Sequence, residues 1–207
     1  MEGVVKKLRT AVLISGRGSN LKALIDACSE KDFPAEIVLV ISNVPDAGGL
    51  AHAHAAGIST AIVPSKDYLS RDSFDEAMDA HLRQAETEFI CLAGFMRILS
   101  DAFVRRWEGR MINIHPSLLP AFKGTHVHER VLAAGAKTSG CTVHYVVPEL
   151  DSGPIILQTE VPVLPADTPD TLAARVLEQE HTLYTRALRD IAERRVRLEQ
   201  GRVVFAG

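Results

Sequence analysis

The chain has 207 residues, a length that suits one well-buried domain. Its formal net charge of -3 lacks the basic excess that binding to a phosphate backbone requires, which argues against a nucleic-acid partner. No apolar run approaches the roughly 20 residues that span a bilayer, so no membrane partner is expected.

The N-terminal segment and the cysteines predict a cytoplasmic protein. The apolar run after Arg9 covers only about five residues before Ser15 and Gly16, which is too short for a signal peptide. The chain has three cysteines, an odd number, in separate apolar segments. That pattern is typical of reduced thiols packed in a core rather than of a disulfide framework.

Short runs rich in valine and isoleucine alternate with helix-like segments through the first part of the chain. Such continuous apolar runs predict strands that are buried on both faces. The predicted strands are residues 11–14, 37–41, 89–93 and 111–114, and the predicted helices between them are residues 20–27, 46–56 and 72–85. The alternation predicts an α/β fold with an open, mostly parallel twisted sheet and flanking helices.

The pattern changes from Ser139 onward. Residues 141–147 and 155–163 are predicted to form two strands whose short connection favours an antiparallel pair. Residues 168–197 predict one long helix, with Pro169 suited to its first turn, and residues 203–205 predict a last short strand.

The first predicted strand is followed directly by Ser15-Gly16-Arg17-Gly18-Ser19-Asn20, at the start of a helix. Glycines allow a tight turn, so backbone amides at the helix N-terminus and the side chains of Ser19 and Asn20 can hold a phosphate. A tight turn with a serine or asparagine cap explains the same residues equally well. The loop lacks the glycine and lysine spacing of nucleotide-binding motifs, so a monophosphate fits better than ATP or NAD.

Asn113 and His115 lie at the end of another predicted strand, directly before Pro116. Alternate residues of a strand share a side, which places an amide beside an imidazole. The pair suits stabilisation of an oxyanion and general acid–base work, although a lone histidine is more often structural. The later loop at residues 149–154 carries Asp151, which would favour the charged form of His115 if it faces it, or would otherwise be part of an exposed acidic turn.

Four segments together resemble the folate-dependent phosphoribosylglycinamide formyltransferase family. They are residues 15–20, 92–99, 113–120 and 151–154, which occur in the order of that family. The resemblance runs from about Thr10 to His181. It implies a Rossmann-like formyltransferase fold and transfer of a formyl group from 10-formyltetrahydrofolate, as co-substrate, to the amine of phosphoribosylglycinamide in purine biosynthesis.

The resemblance also implies a role for individual residues. The substrate phosphate is expected at Gly18, Ser19 and Asn20. Catalysis is expected from Asn113 and His115, with Asp151 supporting His115. Glu180 is expected to touch the substrate, although by sequence alone it looks like a solvated helix residue. The residues expected around the folate are Arg71, Met96, Arg97, Ile98, Leu99 and Asn113.

We therefore expect one formyltransferase domain over residues 1–207, with a phosphate-binding half at about 1–100 and a catalytic and folate half at about 101–207. Its partners are expected to be small molecules, and it is expected to be a monomer or a homodimer. No metal is expected, because the histidine pairs at residues 52 and 54 and at 126 and 128 are spaced by two, and the cysteines are not at finger spacing.

Two positions depart from the family pattern. Lys123 stands where the family usually has proline, which predicts a looser loop beyond the active site. Ser152 stands where the family usually has glycine, and it would be strained if that position required a positive φ.

Three other functions share part of this pattern. A formyltetrahydrofolate hydrolase would carry an additional N-terminal domain, for which the start of the first strand near Thr10 leaves no room. A methionyl-tRNA formyltransferase would add a C-terminal RNA-binding domain, which does not fit the short, mildly acidic chain. A non-catalytic folate- or nucleotide-binding module would have no need of Asn113, His115 and Asp151. The phosphate loop favours a phosphoribosyl amine as the acceptor.

Overall fold

A computed structural model describes residues 6–206, which form a sheet of seven strands in the order β3-β2-β1-β4-β5-β6-β7 and a separate two-stranded hairpin, β8-β9. The strands are β1 Leu8–Ile14, β2 Ala35–Ser42, β3 Thr60–Ile62, β4 Phe89–Leu92, β5 Met111–His115, β6 Thr138–Tyr145, β7 Ile155–Pro162, β8 Val196–Glu199 and β9 Arg202–Phe205. The helices are α1 Ser19–Ser29, α2 Gly49–Ala55, α3 Arg71–Gln84, α4 Asp101–Arg106, α5 Val127–Ala133 and α6 Pro169–Ala192. Residues 1–5, which belong to the segment tested for a signal peptide, and residue 207 lie outside the described residues.

Strands β1 to β5 pair in parallel, whereas β6 and β7 are antiparallel additions beside β5. The predicted fold class is confirmed. In a parallel sheet the carboxyl ends of neighbouring strands lie at one edge, so the segments after β1, β4 and β5 meet there. That edge carries the candidate site.

The sheet separates two apolar clusters. Val12 and Ile14 of β1 pack on the side of α1 and α6, whereas Ala11 and Leu13 pack on the side of α3 and α4. All four side chains are fully buried. Burial on both faces explains the continuous apolar runs in the sequence.

Helix α6 begins with a capping box between Thr168 and Thr171, with Pro169 in the first turn. Its buried Tyr184 donates hydrogen bonds to the carbonyl oxygens of Leu92 at 2.9 Å and Ile112 at 3.2 Å. The helix is thereby attached to β4 and β5.

The prediction that this helix continues to residue 197 was wrong. It ends at Ala192, because Arg194 takes a left-handed φ of 60° and the amide of Arg195 bonds the carbonyl of Asp190. Val196 then begins β8, which pairs with β9. The short elements β3, α4 and α5 were not predicted, because each is too short to show a period. Among residues 6–206 no helix is long and apolar enough to cross a membrane.

Candidate active site

Gly18 is the residue that caps the N-terminus of α1. It lies in the left-handed region, with φ 74° and ψ 31°, and no side chain accepts a hydrogen bond there. The alternative of a serine or asparagine cap therefore does not hold in this structure. The first-turn amides of α1 keep the positive end of the helix dipole without a side-chain acceptor, as an anion site requires.

A second glycine fixes the position of this loop. A Cβ atom added to Gly18 would lie 2.5 Å from the Cα of Gly49, at the start of α2. The amide of Gly49 donates a 3.0 Å hydrogen bond to the carbonyl of Gly16. The loop after β1 therefore packs directly on the start of α2, with room for glycine only.

Glu180 lies against the start of α1. Its carboxylate accepts a 2.7 Å hydrogen bond from the side-chain amide of Asn20. Only 8% of Glu180 is exposed, so its interpretation as a solvated helix residue was wrong. Burial raises the pKa of Glu180, and the Asn20 hydrogen bond opposes part of that rise.

His115 faces two hydrogen-bond acceptors. Its Nδ1 lies 3.5 Å from Oδ2 of Asp151, and its Nε2 lies 3.0 Å from the carbonyl oxygen of Phe122. Each ring nitrogen of His115 therefore faces an oxygen atom of a different loop. The alternative that Asp151 lies in an exposed acidic turn was wrong, because its side chain is only 7% exposed.

Asn113 lies next to a second histidine. Its Nδ2 is 3.2 Å from Nε2 of His144, while Nδ1 of His144 contacts the carbonyl oxygen of Tyr145 at 2.9 Å. The carbonyl requires a proton on Nδ1, so Nε2 is the acceptor for Asn113 in the neutral ring. Burial lowers the pKa of His144, which favours this neutral form. Within residues 6–206, the second N–H of the Asn113 amide has no protein acceptor and can serve a ligand.

In the sequence, His144 is one residue of the predicted strand at residues 141–147. The structure brings it between Asn113 and Asp151, with its Nε2 3.8 Å from Oδ1 of Asp151. His144 reaches this position because β5 pairs with β6, and Asn113 and His144 are direct partners in that pairing. That register is a property of the antiparallel addition, which the sequence leaves unspecified.

The segment after β4 is attached to the loop after β1. The backbone amide of Met96 donates a 2.7 Å hydrogen bond to Oγ of Ser15, and that hydroxyl donates to Oδ1 of Asn43 at 2.5 Å. The side chains of Met96 and Ile98 are 70% and 58% exposed. The hydrogen bonds of Ser15 therefore hold the backbone of the segment, and the side chains of Met96 and Ile98 remain exposed.

The remaining expected folate residues differ in their surroundings. Arg97 is exposed, whereas Leu99 is buried. Arg71 is the exposed first residue of α3, and Asp75 of the same helix accepts a 2.6 Å hydrogen bond from the amide of Ser100. The first turn of α3 thus lies beside the end of the 94–99 segment.

Lys123 and Ser152, the two departures from the family pattern, contact each other. Nζ of Lys123 donates a 2.5 Å hydrogen bond to Oγ of Ser152. The loop at Lys123 is therefore anchored rather than loose. The positive φ of the second loop falls on Asp151, at 48°, so the strain expected at Ser152 does not arise.

The carboxyl edge of the sheet thus brings together the loop after β1, Glu180, and the group of Asn113, His115, Asp151 and His144. Within residues 6–206, no group of three or more histidine, cysteine, aspartate or glutamate side chains could hold a metal ion.

Comparison with known proteins identifies relatives of the whole chain. The formyl transferase family model matches residues 8–188. The chain is 42% identical to phosphoribosylglycinamide formyltransferase of Escherichia coli over 193 residues, which cover 93% of this chain and 91% of that protein. The crystal structure of glycinamide ribonucleotide transformylase 1 from Symbiobacterium toebii superposes with a TM-score of 0.94 at 42% identity, covering 97% of this chain and 95% of that one.

Longer proteins contain a similar segment. The trifunctional purine biosynthetic protein adenosine-3 of Bos taurus is 53% identical over 201 residues, which cover 97% of this chain. The chain spans 20% of the length of that relative.

Proposed function

The chain belongs to the formyl transferase family, and we propose that it transfers a formyl group from 10-formyltetrahydrofolate to the amine of phosphoribosylglycinamide, a step of purine biosynthesis. The relatives named phosphoribosylglycinamide formyltransferase support this choice of substrates. The proposal treats the chain as one catalytic unit that acts on small molecules.

The observation that carries the proposal is the contact between His115 and Asp151 beside Asn113. A carboxylate 3.5 Å from one ring nitrogen stabilises the imidazolium, and the Asn113 amide retains a free N–H next to it. An amide donor beside a positively charged ring suits an oxygen on which negative charge develops.

In the proposed reaction the substrate amine attacks the formyl carbon directly. The Asn113 amide donates a hydrogen bond to the developing oxyanion, and the positive charge of a protonated His115 stabilises it. Asp151 holds the imidazolium and assists transfer of the amine proton to the folate nitrogen, which leaves as its bond to the formyl carbon breaks. Much of the rate comes from holding the amine and the formyl group in register.

The phosphoribosyl amine would bind across α1 and α6. Gly18, Ser19 and Asn20 at the N-terminus of α1 suit its phosphate, because the helix dipole and the amides favour an anion. Glu180 offers a carboxylate that accepts hydrogen bonds, and Oδ1 of Asn20 is buried without a hydrogen-bond partner within residues 6–206. Both side chains can therefore serve a bound polar ligand.

The formyl-folate would bind over the 94–99 segment. Its reduced pterin suits the exposed side chains of Met96 and Ile98 and the backbone between them, and Arg71 suits the carboxylates of the folate tail. The folate supplies an activated one-carbon group. Arg97 and Leu99 complete the set that the proposal assigns to this co-substrate.

Mixing the purified protein with 10-formyltetrahydrofolate, with and without phosphoribosylglycinamide, tests the proposal. The expected result is loss of the formyl group from the folate only when the amine is present, with one formylated product for each folate released. Release of formate without the amine would identify a hydrolase instead. Binding of either compound without turnover would identify a non-catalytic module, and formylation of a charged tRNA would identify a different acceptor.

A further inference from the structure

Three consecutive residues, Phe122, Lys123 and Gly124, contact both members of the His115 and Asp151 pair. The carbonyl oxygen of Phe122 lies 3.0 Å from Nε2 of His115. The amide of Gly124 donates a 2.8 Å hydrogen bond to Oδ2 of Asp151. The same short segment therefore fixes the far side of the imidazole and one oxygen of the carboxylate.

The backbone of this segment is not one that it would adopt on its own. Phe122 has a φ of 55° and Gly124 a φ of 83°, so left-handed residues lie on both sides of Lys123. A phenylalanine in that region costs free energy and persists only where its surroundings hold it. Something must therefore attach the segment to the rest of the site.

The side chain of Lys123 makes that attachment. Its ammonium donates a 2.5 Å hydrogen bond to the Ser152 hydroxyl, which in turn donates to the carbonyl of Leu150 at 3.0 Å. Ser152 directly follows Asp151, so the two loops are connected on both sides of the catalytic carboxylate. The Glu149 carboxylate, 3.8 Å from the ammonium, is mostly exposed and adds little.

The other contacts of the segment leave this role to the Lys123 side chain and the Gly124 amide. Arg130 of α5 donates to the carbonyl of Lys123 at 2.5 Å, and its guanidinium lies 5.7 Å from the centre of the Phe122 ring. Both contacts join the segment to α5 rather than to the loop that carries Asp151. Lys123 and Gly124 are the residues that reach that loop.

We propose that Lys123 is a positioning residue for the proposed formyl transfer, which holds Asp151 against His115 through its hydrogen bond to Ser152. The proposal rests on the proposed function for its kinetic consequence. Its geometric part, the attachment of the 122–124 segment to the 150–152 turn, applies to the protein without any substrate.

The ammonium of Lys123 also affects the pKa of His144. The charged and titratable groups that face His144 are Asp151, His115 and Lys123, and its ring further contacts the Asn113 amide and the Tyr145 carbonyl. The positive charge of Lys123 lowers the pKa of His144, in the same direction as burial. Loss of that charge should therefore move the titration of His144 to higher pH.

The test compares Lys123→Met, Ser152→Ala and the double variant with Lys31→Met, an exposed lysine that follows α1 at the opposite edge of the sheet. We expect Lys123→Met to lower kcat by about tenfold or more, because misplacement of a reacting group by about 1 Å can cost about a hundredfold. KM for both substrates should change little. Ser152→Ala should lower kcat in the same way, and the double variant should be no worse than Lys123→Met, since both changes remove one contact.

A second measurement distinguishes loss of the Lys123 charge at the site from a general disruption of the fold. The titration of His144, followed by NMR without substrates, should move to higher pH in Lys123→Met and stay unchanged in Ser152→Ala, which keeps the charge. Independent, multiplying effects of the two substitutions, or a Lys123→Met protein that matches Lys31→Met in both kcat and titration, would overturn the proposal. If the wild-type protein shows no formyl transfer, the proposed function fails, and a double-mutant cycle of Lys123→Met and Ser152→Ala in the free energy of unfolding still tests the attachment; additive effects would overturn it.

Discussion

The side-chain amide of Asn20 donates a 2.7 Å hydrogen bond to the carboxylate of Glu180, which lies 160 positions further along the chain. The bond joins the first turn of α1 to the middle of α6. Both residues are more than nine-tenths buried, with Asn20 9% and Glu180 8% exposed. One end of the candidate substrate site is thus built by residues from opposite ends of the chain.

Glu180→Gln should stabilise the free protein at neutral pH. Burial raises the pKa of Glu180 above its ordinary value of 4.5, so the folded state holds this proton more tightly than the unfolded chain. The stabilisation from the protonated form is complete below the unfolded pKa and is lost as pH rises through the folded pKa. Glutamine has no such loss and still accepts the Asn20 hydrogen bond.

Urea unfolding at pH 4.5 and pH 7.5 measures this difference. We expect Glu180→Gln to exceed the wild type in free energy of unfolding at the higher pH, and the difference to shrink at the lower one. Glu178→Gln, two residues away on the exposed face of α6, is the control. An equal effect of both variants would contradict the role of burial. If Glu180 contacts the substrate, Glu180→Gln also weakens binding of phosphoribosylglycinamide.

Asp151→Asn should lower turnover by about a hundredfold to ten-thousandfold, the range over which a positioned acid–base group contributes. The amide cannot stabilise the imidazolium of His115, which lies 3.5 Å from the carboxylate. Affinity for formyl-folate should change little, because the folate pocket is expected over a different segment. Steady-state kinetics measures the turnover, and direct titration measures the affinity for formyl-folate. Near-normal turnover would contradict a role for Asp151 in the mechanism.

Gly18→Ala should destabilise the loop after β1, where the substrate phosphate is proposed to bind. Alanine at a φ of 74° costs about 1 to 2 kcal/mol, and its Cβ would lie 2.5 Å from the Cα of Gly49, so the loop or α2 must move. We expect a lower thermal midpoint and loss of most of the affinity for phosphoribosylglycinamide.

Gly57→Ala is the matched control, because Gly57 has a φ of 69° and open space around the added Cβ. It carries the same backbone cost without the close contact. If both variants lose stability equally and substrate affinity is unchanged in both, the packing of Gly18 on Gly49 does not contribute to substrate binding.

Ser15→Ala should weaken binding of formyl-folate. The hydroxyl accepts the Met96 amide at 2.7 Å and donates to Asn43, so its removal leaves polar groups on two other segments without a partner. A hydrogen bond of this kind contributes about 0.5 to 1.5 kcal/mol, and part of its loss should appear as a looser 94–99 segment. Folate titration by fluorescence gives the affinity. Ser29→Ala, at the end of α1, removes a local hydroxyl contact away from the site and should leave folate affinity at the wild-type level.

Much of the fold follows from the sequence alone. Four buried strands and three helices show in the apolar runs and their spacing, because a strand covered on both faces must be apolar throughout. The helix of residues 168–197 was correct at its start, where Thr168 and Pro169 form a local signal, and wrong at its end. That end depends on a left-handed Arg194 and on the pairing of β8 with β9, and neither has a local signal.

The sequence determined which residues could form the site, since the loop of residues 15–20 and the segments around Asn113 and Asp151 each directly follow a strand or form a turn. Only the tertiary structure decided how they meet. The burial of Glu180 against Asn20, the position of His144 beside Asn113 and the contact between Lys123 and Ser152 all join residues on different elements. A one-dimensional pattern records the period of each element, whereas these contacts depend on sheet order and strand register, which packing in three dimensions sets.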